Sequence, residues 1–208
     1  MNSFVQYLDH LIKEFLAIYR ALEISGPPAG QDHIREVQAK LLSLGNNNPP
    51  IRQKSPEEKP VCRYLDAVRC EGNRYSEICD IFKNIVPILK WEYGYTSMPE
   101  HLYDMYSYTE VIGPQGNIYV EDIVMGFVLL APCCLYPEHN HPGIEESYLC
   151  LSGNVTQNDN EELSPGGYLY NSPGKTHRLS VAPDTPCLLA YSWLAEPAVL
   201  KNYSMSLL

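Results

Sequence analysis

The sequence predicts a mostly β protein: a single antiparallel β-barrel or jelly roll over residues 91–208, preceded by a helical N-terminal region over residues 1–90. Three observations carry that assignment. Apolar residues in the first ninety positions recur at helical spacing. Beyond about residue 105 they fall into short β-rich runs separated by Gly, Pro and Asn turn signals. No segment repeats, which leaves room for one barrel and not two.

Phe4, Leu8, Leu11, Ile12, Phe15, Ile18, Tyr19 and Leu22 form one stripe of 3.6-residue period, so residues 2–24 make an amphipathic helix, stopped by Ser25-Gly26-Pro27-Pro28. The polar face of that helix is not basic, which favours packing on its own barrel or on a partner subunit over packing on a membrane. A homodimer through these helices is the expectation. Ile34, Val37, Leu41 and Leu42 give a second helix over residues 31–44. His10 and His33 are expected at its surface or as caps. Residues 45–60 are polar and Pro-rich, a loop. Tyr64, Leu65, Val68, Ile78, Ile81, Phe82 and Ile85 return to helical spacing, and Gly72-Asn73 divides residues 61–89 into two helices. The aromatics Trp91, Tyr93, Tyr95, Tyr103, Tyr106, Tyr108 and Tyr119 then mark the entry to the barrel. His101 has no partner motif and reads as a surface residue. Strands are expected over residues 118–121, 123–130, 146–152, 154–157, 168–171, 177–181 and 187–193.

Composition narrows the partners. A net charge of −10 disfavours nucleic acid and anionic membranes, both of which need a basic footprint. The seven cysteines are an odd number with no repeated spacing and no C-x-x-C, so they read as reduced thiols. Asp9, Lys13 and Glu14 interrupt any secretory h-region, and no apolar run is long enough to span a bilayer. The expectation is a cytoplasmic protein.

The stretch with chemistry in it is Y-P-E-H-N-H-P-G-I-E-E-S-Y-L-C-L-S-G, residues 136–153. Residues i and i+2 of a strand share a face, so His139 and His141 can reach one point. Pro142-Gly143 turns the chain back, and Glu146 can close on the same point from the next strand. Imidazoles plus a carboxylate suit a divalent transition metal; Fe2+, Zn2+ and Mn2+ all fit, and ligand type alone does not choose among them. A second stretch, S-P-G-G-Y-L-Y-N-S-P-G-K-T-H-R-L-S-V over residues 164–181, puts His177 after a Pro-Gly turn.

Both stretches resemble the two motifs of the cupin family, matching them at His139, His141, Glu146 and Gly153, and at Gly166, Gly174 and His177. The chain departs from the pattern at Cys133, where the first motif opens with Gly, at Ser172, where the second has Pro, and at Val181, where it ends in Asn. None of the three is a ligand position. The first stretch, with a helical region before it, further resembles the cupin-type dimethylsulfoniopropionate (DMSP) lyases, with one extra residue between His141 and the glutamate pair. That resemblance implies His139, His141, Glu146 and His177 around a metal, with Tyr136 and Tyr148 as the catalytic base and its helper in either order. Glu145 is left as a residue that orients a ligand histidine or faces solvent.

The implied reaction is β-elimination of a small zwitterionic sulfonium substrate to acrylate and dimethyl sulfide. A base removes the proton α to a carboxylate; a cation nearby favours a phenolate over a phenol, so a tyrosine can serve. Aromatic faces accept a sulfonium charge without competing for the metal. Trp193, Tyr93, Tyr95, Tyr106 and Tyr108 are the candidates for that lining. Two other readings compete: a cupin dioxygenase, which needs no tyrosine base, and a cupin that binds metal or ligand without turnover.

Overall fold

The computed structural model of the protein describes residues 3–70, 75–95 and 97–203. Two long helices come first, α1 (Ser3–Ser25) and α2 (Gln31–Asn47). A 3-10 segment (Pro60–Ala67) and the short helix α3 (Ser76–Ile85) follow. The barrel then runs through β1 (Tyr106–Gly113), β2 (Ile118–Tyr119), β3 (Val124–Leu130), β4 (Leu135–His139), β5 (Glu145–Ser152), β6 (Val155–Gln157), β7 (Glu161–Leu163), β8 (Tyr168–Asn171), β9 (His177–Val181) and β10 (Cys187–Leu194). A last short helix, α4 (Pro197–Lys201), closes the described chain.

The strands form two sheets, one ordered β2-β1-β3-β10-β5-β8 and the other β4-β9-β6-β7. Every named pairing but the short parallel β1/β2 contact is antiparallel. This is the single barrel of the cupin fold, with helices at its N-terminal side. The six-stranded sheet is covered on both faces, which explains why β1, β3 and β10 are buried at every position and read as continuous runs rather than alternating ones. Its outer face carries Phe127, Leu129, Leu149 and Leu151 into one core with α1, α2 and α3. Phe127 is the hub: its ring lies 4.6 Å from Phe82 and 6.0 Å from Phe15. The inner face, by alternation, sends Val128, Tyr148, Cys150, Leu189, Tyr191 and Trp193 into the barrel lumen, where they meet Tyr136 and Leu179 of the second sheet.

Local chemistry fixes two corners of the site. Gly153 has φ 78°, and a Cβ there would stand 2.3 Å from the Pro186 carbonyl, so only glycine fits the turn that ends β5. Cys133 stands where the first cupin motif opens with glycine; its φ is 60°, the conformation glycine supplies most easily.

The structure revises several sequence expectations. The first half of residues 61–89 is a 3-10 segment, not an α-helix, and the expected break at Gly72-Asn73 lies outside the described residues. The strand expected over residues 118–121 shrinks to two residues, and β1, β7 and α4 were not among the expected elements. Cys70 and Cys79 are not reduced thiols: their Cα atoms come within 6.2 Å as the chain returns into α3, and they form a disulfide. Cys62, Cys133, Cys134, Cys150 and Cys187 are free. His33 is neither exposed nor a cap; the inward turn of α2 buries it against hydroxyl groups of the sheet. His10 and His101 are exposed, as expected. Among the described residues no helix is long and apolar enough to cross a membrane.

Candidate metal and active site

Strand pairing brings the predicted ligands together from three strands and the turn between two of them. On the four-stranded sheet His139 of β4 is the direct cross-strand partner of His177 of β9. The tight His141–Ile144 turn then reverses the chain into β5, where Glu146 pairs across to Trp193 of β10. His139, His141, Glu146 and His177 are all buried. The three histidines each offer a ring nitrogen, and these nitrogens lie within 4.8 Å of one another.

The tautomers are set by the backbone. His139 Nδ1 lies 2.9 Å from the Pro137 carbonyl and His177 Nδ1 3.0 Å from the Lys175 carbonyl. A carbonyl can only accept, so each Nδ1 carries a hydrogen, and in its neutral form each ring presents a lone pair at Nε2. The Nε2 atoms of His139, His141 and His177 are buried with no hydrogen-bond partner. Buried polar atoms left unpartnered are costly, and three of them converging on one point fit a bound cation. The Glu146 carboxylate completes the set, its Oε2 3.0 Å from His177 Nε2 and its Oε1 3.4 Å from His141 Nε2.

Burial works to lower His177, but the Glu146 carboxylate outweighs it and raises it, so at His177 Nε2 a proton competes with a cation. Burial works to raise the Glu146 carboxyl, but His141 and His177 outweigh it and hold it well below the usual carboxylate range. Burial pushes His139 down to about 3, so its ring is neutral at ordinary pH, the form that binds metal. Two further donors hold the carboxylate in place. Trp193 Nε1 donates to Glu146 Oε1 at 2.8 Å, and Asn171 Nδ2 donates to Oε2 at 3.1 Å. Asn171 is itself paired with Gln157 at 3.0 Å. Trp193 was foreseen as lining only; its hydrogen bond to Glu146 was not, and Asn171, read only as the end of the strand over residues 168–171, was missed as a donor to Glu146.

Of the predicted ligands, His139, His141 and Glu146 open on a cavity of about 20 Å³, lined besides by Val128, Tyr106, Tyr108, Tyr136, Tyr148, Tyr191 and Trp193. That is room for an ion or a water. The Tyr136 ring stands edge-on to His139 at 4.6 Å, and the Tyr148 ring lies 6.1 Å from His177. Burial, followed by the Glu146 charge, pushes the Tyr148 hydroxyl well above its ordinary range. Burial, reinforced by Tyr106 and Tyr95, does the same to Tyr136.

Not every predicted lining residue reaches this cavity. Tyr106, Tyr108 and Trp193 do. Tyr95 stands behind the wall, its hydroxyl hydrogen-bonded to that of Tyr136. Tyr93 is turned away: its hydroxyl donates to the Tyr103 carbonyl at 2.9 Å, and its ring packs against Tyr103 and under Lys59. Two wall residues were missed. Tyr191 alternates with Trp193 along β10 and so shares its inward face. Tyr203, after α4, folds back so that its ring meets Trp193 edge-on at 4.8 Å and its hydroxyl reaches Tyr108 at 3.1 Å and Glu110 at 3.2 Å. The first could have been found from strand period; the second depends on where the C-terminal segment docks. Glu145 orients no ligand histidine: it is half-buried and lies 3.3 Å from His33 Nδ1.

Comparison with known proteins agrees with this architecture. A solved structure of the DMSP lyase DddQ from Ruegeria pomeroyi superposes with a TM-score of 0.70 at 19% identity, over 95% of each chain. A chain from the DMSP lyases RdDddP and RnDddQII superposes with a TM-score of 0.66 at 15% identity, over 95% of this chain and 97% of that one. These likenesses show the fold. In sequence, the chain is 36% identical over 200 residues to a Cereibacter sphaeroides protein that carries the provisional name dimethylsulfoniopropionate lyase DddL, covering 95% of this chain and 86% of that protein. The DMSP lyase family, described as dimethylsulfoniopropionate lyase, matches residues 33–189, from the buried histidine of α2 into the start of the last barrel strand. With that match over most of its length, the chain is a lyase and belongs to the dimethylsulfoniopropionate lyase family.

Proposed function

We propose that the protein is a metal-dependent DMSP lyase, which splits dimethylsulfoniopropionate into acrylate and dimethyl sulfide by β-elimination with a tyrosine as base. The observation that carries the reading is the convergence of three unpartnered Nε2 atoms and a paired carboxylate on a cavity whose remaining wall is tyrosine and tryptophan. His139, His141, Glu146 and His177 would hold the metal, Fe2+, Zn2+ or Mn2+. When bound there, a divalent cation supplies positive charge that favours the phenolate of a neighbouring tyrosine and neutralises a substrate carboxylate.

The chain's own residues do the rest. Tyr148 is our choice for the base: its ring faces the ligand cluster from the same strand as Glu146, and its Oη would take the α proton. Tyr136 is the helper, because its hydroxyl is already engaged by Tyr95. Tyr106, Tyr108, Tyr191 and Trp193 would face the sulfonium with their rings. Dimethyl sulfide departs neutral, so no acid is required of the site. A substrate larger than a water molecule needs more space than the cavity offers, so its binding displaces part of the aromatic wall.

The test is headspace dimethyl sulfide from purified protein and DMSP, with and without added Fe2+, Mn2+ or Zn2+, beside Tyr148→Phe and Tyr136→Phe. Metal-dependent gas, lost roughly 100-fold or more in Tyr148→Phe that still holds metal, is expected. Folded, metal-loaded protein that evolves no gas with any of the three metals overturns the reading. Gas from Tyr148→Phe at the wild-type rate overturns the choice of base alone.

A further inference from the structure

Directly behind the metal cluster, on the other face of the same two strands, lies a second buried polar group. Ser147 of β5 pairs across to Ser192 of β10, one position along from the Glu146/Trp193 pair. Neighbouring residues of a strand point to opposite faces, so the serines face the helices while Glu146 and Trp193 face the metal. The two serine hydroxyls are 2.8 Å apart. Both are reached from the helical layer: Tyr19 of α1 donates to Ser192 Oγ at 2.9 Å and lies 3.1 Å from Ser147 Oγ. His33 Nε2 of α2 lies 2.8 Å from Ser192 Oγ and 3.2 Å from Ser147 Oγ. Tyr19, His33, Ser147 and Ser192 are all buried.

The proton order follows from the end of the chain of bonds. Glu145 accepts from His33 Nδ1 at 3.3 Å, so His33 Nε2 is an acceptor and the nearer serine hydroxyl, that of Ser192, donates to it. The hydrogen bonds then run from Tyr19 through Ser192 to His33 and on to Glu145. Two of the four groups belong to helices and two to the strands that carry Glu146 and Trp193.

We infer that His33, with Tyr19, is a positioning residue for the metal centre: it pins β5 to β10 at the one register position where Trp193 Nε1 holds the Glu146 carboxylate toward the three histidines. The helical layer is by this account part of the site and not a separate covering. A sheet with an apolar contact here would pack equally well; fixed hydroxyl directions add resistance to the shear between β5 and β10 that would move Trp193 off Glu146. Groups that orient metal ligands change affinity typically 10–100-fold when removed, although they never touch the metal.

The inference rests on the proposed metal site, and one experiment separates the two. Affinity for Zn2+ and for Fe2+ is measured by competition with a chelator, on wild type, His33→Ala, His33→Gln and Tyr19→Phe. Phe82→Leu serves as a control that weakens the helix–sheet core without touching the hydroxyl chain. The expected result is a loss of roughly tenfold or more in metal affinity for His33→Ala and a smaller one for Tyr19→Phe. His33→Gln, whose amide oxygen can take the serine hydrogen bonds, recovers most of the affinity, and Phe82→Leu lowers the unfolding midpoint with affinity unchanged. If wild type binds neither metal, the metal site itself is wrong. If wild type binds and His33→Ala binds equally well, or if Phe82→Leu loses as much affinity, the positioning role falls and the network is only structural. Should His33→Ala fail to fold, Tyr19→Phe against Phe82→Leu decides on the same terms.

Discussion

Glu110 on β1 offers a direct test of the electrostatics on the far side of the aromatic wall. Its carboxylate is buried and, among the described residues, accepts hydrogen bonds from the Gln115 amide at 2.6 Å and the Tyr203 hydroxyl at 3.2 Å. Burial pushes it from an ordinary 4.5 up to about 7, and the Gln115 amide, Lys54 and Tyr203 offset this only in part. An acid whose pKa is raised by folding holds its proton more tightly in the folded chain. Its stabilising contribution is complete below pH 4.5 and is lost as pH rises through about 7. At about 1.4 kcal/mol per pH unit, the difference amounts to about 3 kcal/mol by pH 8. Glu110→Gln keeps the shape and the acceptor for Gln115 but cannot ionise, and the Tyr203 hydroxyl can turn to Tyr108. The variant should match wild type near pH 4.5 and exceed it by about 3 kcal/mol at pH 8, roughly 6–12 °C in Tm for a chain of this size. Urea and thermal melts of the chelator-treated protein at several pH values between 4.5 and 8 would measure this. Because both proteins share every other titrating group, only the difference between them is read. A difference that stays flat across that window would refute the assignment of a protonatable, poorly compensated carboxyl at Glu110.

Three other outcomes are expected. Trp193→Phe removes the donor to Glu146 Oε1 but keeps a ring, so metal affinity should fall roughly tenfold with the unfolding midpoint little changed, read by chelator competition. Phe127→Ala removes the ring on which both Phe15 and Phe82 pack and should cost roughly 3–5 kcal/mol in urea denaturation, with a weakened helix–sheet interface. Replacing Cys70 and Cys79 together by Ser opens a loop with a sequence separation of 9 residues; loop-closure entropy puts the cost at about 2–3 kcal/mol, and thiol titration under denaturing conditions should count the same free sulfurs in oxidised wild type as in the variant, Cys62, Cys133, Cys134, Cys150 and Cys187, and two more in wild type only after reduction.

Periodicity and punctuation determined much of this protein without coordinates. A 3.6-residue stripe places α1 and α2 because one face of each helix must be buried, and closely spaced turn residues force the second half into short strands. The H-x-H spacing marks two imidazoles near one point, although His141 reaches it from the turn after β4 and not from the strand that the spacing suggests, and the later Glu146 and His177 were legible through their motif positions. The tertiary structure decided what lies across a sheet or at the end of a connection. Nothing near Asn171 in sequence marks it as a donor to Glu146; register across β5 and β8 puts it there. Tyr203 joins the wall only because the segment after β10 turns back on Trp193. Cys70 meets Cys79, and His33 meets Ser147 and Ser192, over separations that local pattern does not encode. Tyr93 shows the converse: an aromatic of the right kind, a short way along the chain from Tyr95, is drawn outward by Tyr103 and Lys59. Local sequence sets which way a side chain points along its own element, because backbone geometry repeats; which partner it meets depends on packing between elements, and that is a property of the whole chain.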